Sequence, residues 1–570
     1  MGNKNYSIMK LSSIFQFFLC SIFLCGCYEQ ERFDVLIRNG QIVDGSASQS
    51  YNGDIGINGD TIAAIGNLKK AKGSLELDAS GLIIAPGFIN MLSWSVESLI
   101  EDGRSMSDIK QGVTLEVFGE GLSWGPLTED SKKEILNFFT NYITYDIEWT
   151  TLGEYLDYLV NKGVSCNVAS FVGGTTLRIN AVGYENRKAT SEELESMKSM
   201  LRKSMEEGAL GLGTFLIYPP GFYADTEELI ELCKVVSAYD GMYISHIRSE
   251  SNNILKSLDE LIKIAKDANI RSEIYHFKQA GISNWSKYSE AVSKIDSARN
   301  SGFNISANMY TYTAGSSHLG TTMPPWVQEG GYDKWIQRLI DPEIRKKVLD
   351  EMITPTEEWE NFFLASGSPD NILLIGFNND SLKYLNGKTL ADIAKMRKVR
   401  PEEAAIDLVI EDGSRVWAAF YMMSEENVKK QIALPWMSFG SDHPSMSTEG
   451  VFLKRSYHPR AYGTFARLLG KYVREEKVIT LEEAIRKLTS LPAENLKLKN
   501  RGALKEGYYA DLSIFDPDKI QDHATFEKPH QYASGMVHVF VNGTQVLEDG
   551  EHTGKLPGRV VHGPGWRPNE

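Results

Sequence analysis

Alternation of apolar and polar positions marks both ends of the chain. Asp34 to Val43 (DVLIRNGQIV) alternates and predicts a strand. Asp54 to Ile57 and Asp60 to Ile65 flank Asn58-Gly59, a strong hairpin signal. Near the other end, Ala510 to Ile514 and Val537 to Val546 read the same way, the second turning at Val541-Asn542-Gly543. Strands at opposite ends predict one small sheet domain drawn from residues 27–84 and 490–570.

Between them the period changes. Strand-like runs at Thr114 to Phe118, Ala209 to Phe215, Tyr243 to Arg248, Glu273 to Lys278 and Asn304 to Tyr310 alternate with helical stretches. The helices read as Ser191 to Glu207, Asp225 to Ala238, Asn253 to Ala268 and Ser286 to Ser301, and Thr190-Ser191-Glu192-Glu193 is a capping-box opening. Strand–helix alternation predicts parallel βα units, and their number favours an α/β barrel, here over 85–489, rather than a sandwich. From about 324 to 430 the pattern is irregular and rich in Trp, Glu and Lys, and it predicts an insertion over the barrel mouth. Strand character resumes at Trp436 to Ser441, and Leu481 to Leu488 predicts a helix leading into the terminal sheet.

Composition narrows the class. With 42% hydrophobic and 24% charged residues, the chain has an ordinary globular balance, and disorder is excluded as its main character. A net charge of −15 argues against nucleic acid as a partner. Five cysteines in 570 residues exclude a disulfide scaffold. Three of them, Cys20, Cys25 and Cys27, lie in an N-terminal stretch with Lys4 and Lys10 ahead of an apolar run and no acid through residue 28. That layout predicts an export signal. Its end, Leu24-Cys25-Gly26-Cys27, resembles a bacterial lipobox, which implies removal of residues 1–26 and lipidation of Cys27. The expected location is a bacterial cell membrane, the outer one by the residue after Cys27 (Tyr28 in place of Asp), facing periplasm or surface. Cys166 and Cys233 remain for one disulfide or two buried thiols.

The chemistry gathers at predicted strand ends. His246 and His276 lie one βα repeat apart, so adjacent strands would deliver two imidazoles to one barrel mouth, which suits a tetrahedral metal. Asp442, in Phe439-Gly440-Ser441-Asp442-His443, follows a third strand and is a candidate ligand or proton acceptor. Arg248 and Lys278 each sit two residues past one of these histidines and imply an anionic substrate group, or ion pairs with acids such as Glu250. Tyr310 and Tyr312 share a predicted strand face, as substrate contacts or as core.

An ordered set of motifs carries a family resemblance: APGFINM (85–91), QGVTLEVFGEG (111–121), GALGLGTFLIYPPG (208–221), YISHIRSE (243–250), IYHFKQAG (274–281), MYTYTAGSS (309–317), SFGSDHP (438–444) and HPRAYGTFARLLGKYVRE (458–475). With LTSLPAENLKLKNRGALKEGYYADLSIFDP (488–517), the chain from about 34 to 558 resembles the N-acyl-D-amino-acid deacylases (D-aminoacylases) of the amidohydrolase superfamily. The resemblance implies a metal-dependent (β/α)8 TIM-like barrel with a small β-sandwich domain formed from both chain ends, hydrolysing the amide of N-acyl-D-amino acids. It implies His246 and His276 as Zn²⁺ ligands and Asp442 as proton shuttle. It places Arg248, Lys278, Tyr310 and Ser316 around the substrate carboxylate.

Two positions depart from the family pattern. Its His-x-His pair after the first strand is here Leu92 and Trp94, neither a zinc ligand, which removes one of two metal positions and predicts a single zinc per chain. Its Asn-Cys-Gly is here Gly119-Glu120-Gly121, so Glu120 is the candidate third ligand and Glu116 the fallback. His₂Glu is an established catalytic zinc set, and a hard carboxylate also admits other divalent ions. Whether Glu120 faces the mouth depends on strand phase, which the flanking glycines can reset. Two other readings stay open: another C–N hydrolase acting on cyclic amides or dipeptides, and an inactive membrane-anchored binding protein.

Overall fold

The computed structural model describes residues 31–139 and 143–568; Cys27 and the export signal lie outside them. Eight parallel strands run in chain order around one barrel. Phe88–Asn90 pairs with Val113–Phe118, and that strand with Asn167–Ser170. The third strand continues as Val172–Gly173, which pairs with Gly211–Phe215. Met242–His246, Arg271–Ile274, Ile305–Met309 and Met437–Phe439 follow, each parallel to the last. The ring closes where the Met91 N–H donates to Phe439 O (3.1 Å) and the Asp442 N–H to Leu92 O (2.9 Å). The strands are buried on both faces, as parallel strands inside a shell of helices must be.

Local signals set the helices. Ser191–Glu206 opens on a capping box between Thr190 and Glu193, and Thr226–Ala238 opens on Asp225, whose carboxylate accepts from the Glu228 N–H. Ile254–Asp267 and Tyr288–Asn300 complete the run, each with an apolar face toward the strands.

Both chain ends build one nine-stranded sheet. Leu512–Phe515 lies antiparallel to Ile83–Pro86, joining the C-terminal strands to the N-terminal ones. Ile37, Ile55 and Ile57 share a core with Leu512, Ile514 and Phe540, so neither end can bury its apolar face alone. Asn542 and Gly543 both take positive φ (49° and 76°), the conformation that an Asn-Gly hairpin turn requires.

The stretch expected to be irregular is ordered. Ala314–His318, Trp417–Tyr421 and Ile372–Gly376 form a three-stranded antiparallel sheet. Helices including Tyr332–Ile340 and Pro401–Asp412 bury Trp335, Leu339, Ile406 and Leu408 in a core that also holds Phe420. This sheet starts at Ala314, ten residues before the expected boundary. Its strands pair across about a hundred residues, so no local period reveals them. Cys166 and Cys233 are separate buried thiols. Among the described residues, no helix is long and apolar enough to cross a membrane.

Candidate metal centre and active site

Four side chains reach the barrel mouth from the exits of four strands, three of them through positive-φ backbone. Glu120 lies two residues past Phe118, between Gly119 (φ +106°) and Gly121 (φ +70°). A Cβ at Gly119 would sit 2.4 Å from the Phe171 carbonyl oxygen, and one at Gly121 would sit 2.1 Å from the Phe215 ring. Only glycine fits either place, and the turn they make aims Glu120 inward. His246 is the last residue of its strand. His276 lies beyond Ile274 with φ +35°, its N–H held by Asn308 Oδ1 at 2.9 Å. Asp442 lies beyond Phe439 with φ +50°. Left-handed backbone at two non-glycine residues of one site is stored strain that the surrounding structure must hold.

The side chains converge. Glu120 Oε1 stands 3.2 Å from His246 Nδ1 and 2.8 Å from His276 Nε2. The two imidazoles meet edge to face, 4.4 Å between centroids. One ligand atom from each of Glu120, His246 and His276 lies within 4.8 Å of the others, and all three residues are buried. His246 Nε2 is buried without a hydrogen-bond partner. Two imidazole nitrogens and a carboxylate oxygen fit a divalent ion of the first transition row.

Glu250 organises this set from behind. Its Oε1 takes the Lys278 ammonium at 2.6 Å and lies 2.9 Å from His276 Nδ1. A carboxylate on the far ring nitrogen fixes the orientation of a metal-binding histidine and raises its basicity. Burial alone would raise the Glu250 carboxyl, but Lys278 and the two histidines hold it well below the usual range. Burial likewise opposes ionisation of Glu120, and His276 and His246 reverse it. His246 is pushed down, chiefly by burial, toward its neutral ligating form. Burial and Lys278 lower His276 too, yet Glu250 and Glu120 outweigh them and raise it to about 9. Metal binding has to displace that proton.

Across the cavity, Asp442 Oδ2 pairs with Arg460 Nη1 at 2.7 Å. Arg460 is 3% exposed and lies 4.5 Å from the Tyr310 ring centre. Its Nε is buried without a hydrogen-bond partner. The Trp94 indole N–H donates to Glu120 Oε2 (3.0 Å) and to Asp442 Oδ1 (3.3 Å). A cavity of about 200 Å³ is lined by these groups with Tyr218, Ser316, Trp417 and Arg455. The cavity wall carries four carboxyl groups (Glu97, Glu120, Glu250, Asp442) and four cationic side chains (Lys278, Arg415, Arg455, Arg460), so one divalent ion leaves a net positive centre suited to an anionic substrate.

Several expected residues sit elsewhere. Arg248 is turned out of the cavity, bonded to Glu260 (3.0 Å) and to the carbonyls of Phe222 and Ala224. The strand ends at His246, so the two-residue rule that put Arg248 beside it no longer applies. Lys278 lines the cavity, but Glu250 engages its ammonium, the ion-pair alternative. Tyr310 and Tyr312 diverge once their strand ends at Met309: Tyr310 lines the cavity, and Tyr312 donates to Asp522. Ser316 lines the cavity from the strand Ala314–His318. Glu116 is remote from the metal set and accepts from Ser93 Oγ at 2.7 Å. Arg460 and Asn308 were missed, and Glu250, expected only as an ion-pair acid, also lies against His276. Arg460 lies in a quoted motif, HPRAYGTF, and an unexplained arginine there was the available signal.

The barrel with its His₂Glu mouth is that of an amidohydrolase. Residues 432–547 match the model of the amidohydrolase family. The chain is 31% identical over 542 residues to the D-aminoacylase of Alcaligenes xylosoxydans xylosoxydans, covering 94% of this chain and 98% of that one. It is 29% identical to the N-acyl-D-glutamate deacylase of the same organism, covering 93% and 97%. A crystal structure of D-aminoacylase superposes with a TM-score of 0.78 at 30% identity, covering 93% of this chain and all of the other. An N-acyl-D-glutamate deacylase from Bordetella bronchiseptica, complexed with zinc and a phosphonate mimic of the tetrahedral intermediate, gives 0.77 at 28%, with the same coverage. Another D-aminoacylase structure, TM-score 0.78 at 29% identity and the same coverage, is described as binuclear, with one-metal activation and second-metal attenuation. This chain belongs to the D-aminoacylase family, whose members are hydrolases of carbon–nitrogen bonds other than peptide bonds.

Proposed function

We propose that the chain releases D-amino acids from N-acyl-D-amino acids, using one divalent metal, zinc by preference, held by Glu120, His246 and His276. The observation that carries this reading is the placement of Asp442 across one cavity from that ligand set. When bound, the metal lowers the pKa of water and polarises the amide carbonyl. The protein does the rest. Asp442 takes the proton from the attacking water and returns it to the leaving nitrogen. Its two oxygens are fixed in advance by Arg460 and Trp94. Arg460, with its unpaired buried donor, and the Tyr310 and Ser316 hydroxyls receive the substrate carboxylate. Glu250 and Lys278 hold His276 in register. The relatives that act on N-acyl-D-glutamate and N-acyl-D-aspartate support an N-acylated D-amino acid as the substrate class.

The test is turnover of N-acetyl-D-amino acids and their L-enantiomers by residues 28–570, beside Asp442→Asn. D-selective amine release that falls at least ~10³-fold in Asp442→Asn is expected, given the weight of a positioned acid–base group. Hydrolysis of both enantiomers alike, or none, would sink the proposal. We also infer lipid anchoring at Cys27, supported by the Leu24-Cys25-Gly26-Cys27 sequence after an apolar run. Palmitate labelling of the full chain that persists in Cys27→Ser would count against it.

A further inference from the structure

Leu92 and Trp94 were read as a loss, two histidine positions filled by side chains that bind no zinc. The structure gives Trp94 work of its own. Glu120 has two oxygens. One faces His246 and His276, and the other accepts the Trp94 indole N–H at 3.0 Å. Asp442 also has two oxygens. One pairs with Arg460, and the other accepts from the same indole N–H at 3.3 Å. A second ion bridging this centre would bind the two oxygens that Trp94 occupies. The indole nitrogen donates only and offers no lone pair to a metal. Leu92, at 1% exposure, offers none either. The ring is set by its strand exit: the Trp94 backbone N–H donates to the His443 carbonyl (3.2 Å), and the adjacent Ser93 pairs with His443 in register.

We propose that Trp94 is a positioning residue standing in place of a second metal ion: its indole N–H ties Asp442 to Glu120, and its ring closes the centre to any further cation. A fixed donor between two carboxylates relieves part of their repulsion, as a cation would, but salt and metal concentration cannot displace it. The centre is then mononuclear at every metal concentration. This inference rests on the reading that Glu120, His246 and His276 bind one metal.

The experiment is cobalt titration of the full chain, with metal content by mass spectrometry and the Co²⁺ electron spin resonance spectrum as readouts. The native protein is expected to hold one ion per chain in tenfold excess cobalt, with the spectrum of an isolated ion. Leu92→His/Trp94→His should take up two ions and show spin coupling. Trp94→Phe keeps the ring bulk and removes the N–H. It should still hold one ion, with kcat reduced roughly tenfold and KM little changed, the loss of one hydrogen bond to a charged group. Two coupled ions in the native chain would overturn the inference and leave the one-site reading of the ligands intact in outline. Unchanged kcat in a folded Trp94→Phe would also overturn it. A native chain that binds no cobalt would instead defeat the underlying reading, and this inference with it.

Discussion

Glu116 and Glu120 lie on one strand and its exit, and only Glu120 reaches the histidines. Glu116 points into a polar layer of Ser93, Ser95 and Ser105, where burial raises its carboxyl. Glu116→Gln should therefore keep one metal per chain, whereas Glu120→Gln should lose it; metal analysis after gel filtration checks both. A second titratable group lies off the metal centre. Burial pushes the Glu97 carboxyl up to about 7, against the hydrogen bond from Tyr145 (2.7 Å). A carboxyl raised from an unfolded value near 4.5 binds more protons folded than unfolded. Its stabilising effect is full below 4.5 and is lost as pH rises through 7, by roughly 3 kcal/mol. Glu97→Gln keeps an acceptor for Tyr145 and should flatten the fall in stability between pH 5 and 8. Urea melts across that range measure it, and parallel curves for the two proteins would refute the assignment.

The strand exits decide which side chains meet. Gly121→Ala would press a methyl group into the Phe215 ring at a φ of +70°, so Glu120 would have to move. A loss of at least ~2 kcal/mol and a weakened metal site are expected, read by thermal melting and metal retention. Native affinity in this variant would mean that the turn does not aim Glu120. The same exits explain what was legible in the sequence. Strand and helix positions followed from period and caps: Thr190 with Glu193, Asp225, and Asn542-Gly543 all act as their residue types require. His246, His276, Asp442 and Glu120 were found because strand ends converge in a barrel. Arg248 and Tyr312 were misplaced because period-two reasoning was carried past His246 and Met309, where the strands stop. Arg460 escaped because it meets its partner Asp442 only in the fold, as did the contact of Glu250 with His276.

At the scale of the whole molecule, one barrel carries the proposed ligands on its second, fifth and sixth strand exits and the proposed proton shuttle on its eighth. The sheet of Ala314–His318, Ile372–Gly376 and Trp417–Tyr421 adds Ser316 and Trp417 to the cavity wall. Its long-range pairing is why the sequence read as irregular there. The balance of charge at the mouth, four carboxyl groups to four cationic side chains, suits one divalent ion and an anionic substrate together. The most direct test of this account is to measure metal content and D-selective amine release on the same preparation of residues 28–570, with Glu120→Ala alongside. One metal per chain, hydrolysis of N-acetyl-D- but not L-amino acids, and loss of both in Glu120→Ala are the expected results. A native chain that turns over D-substrates without bound metal, or a Glu120→Ala variant that keeps both, would contradict it.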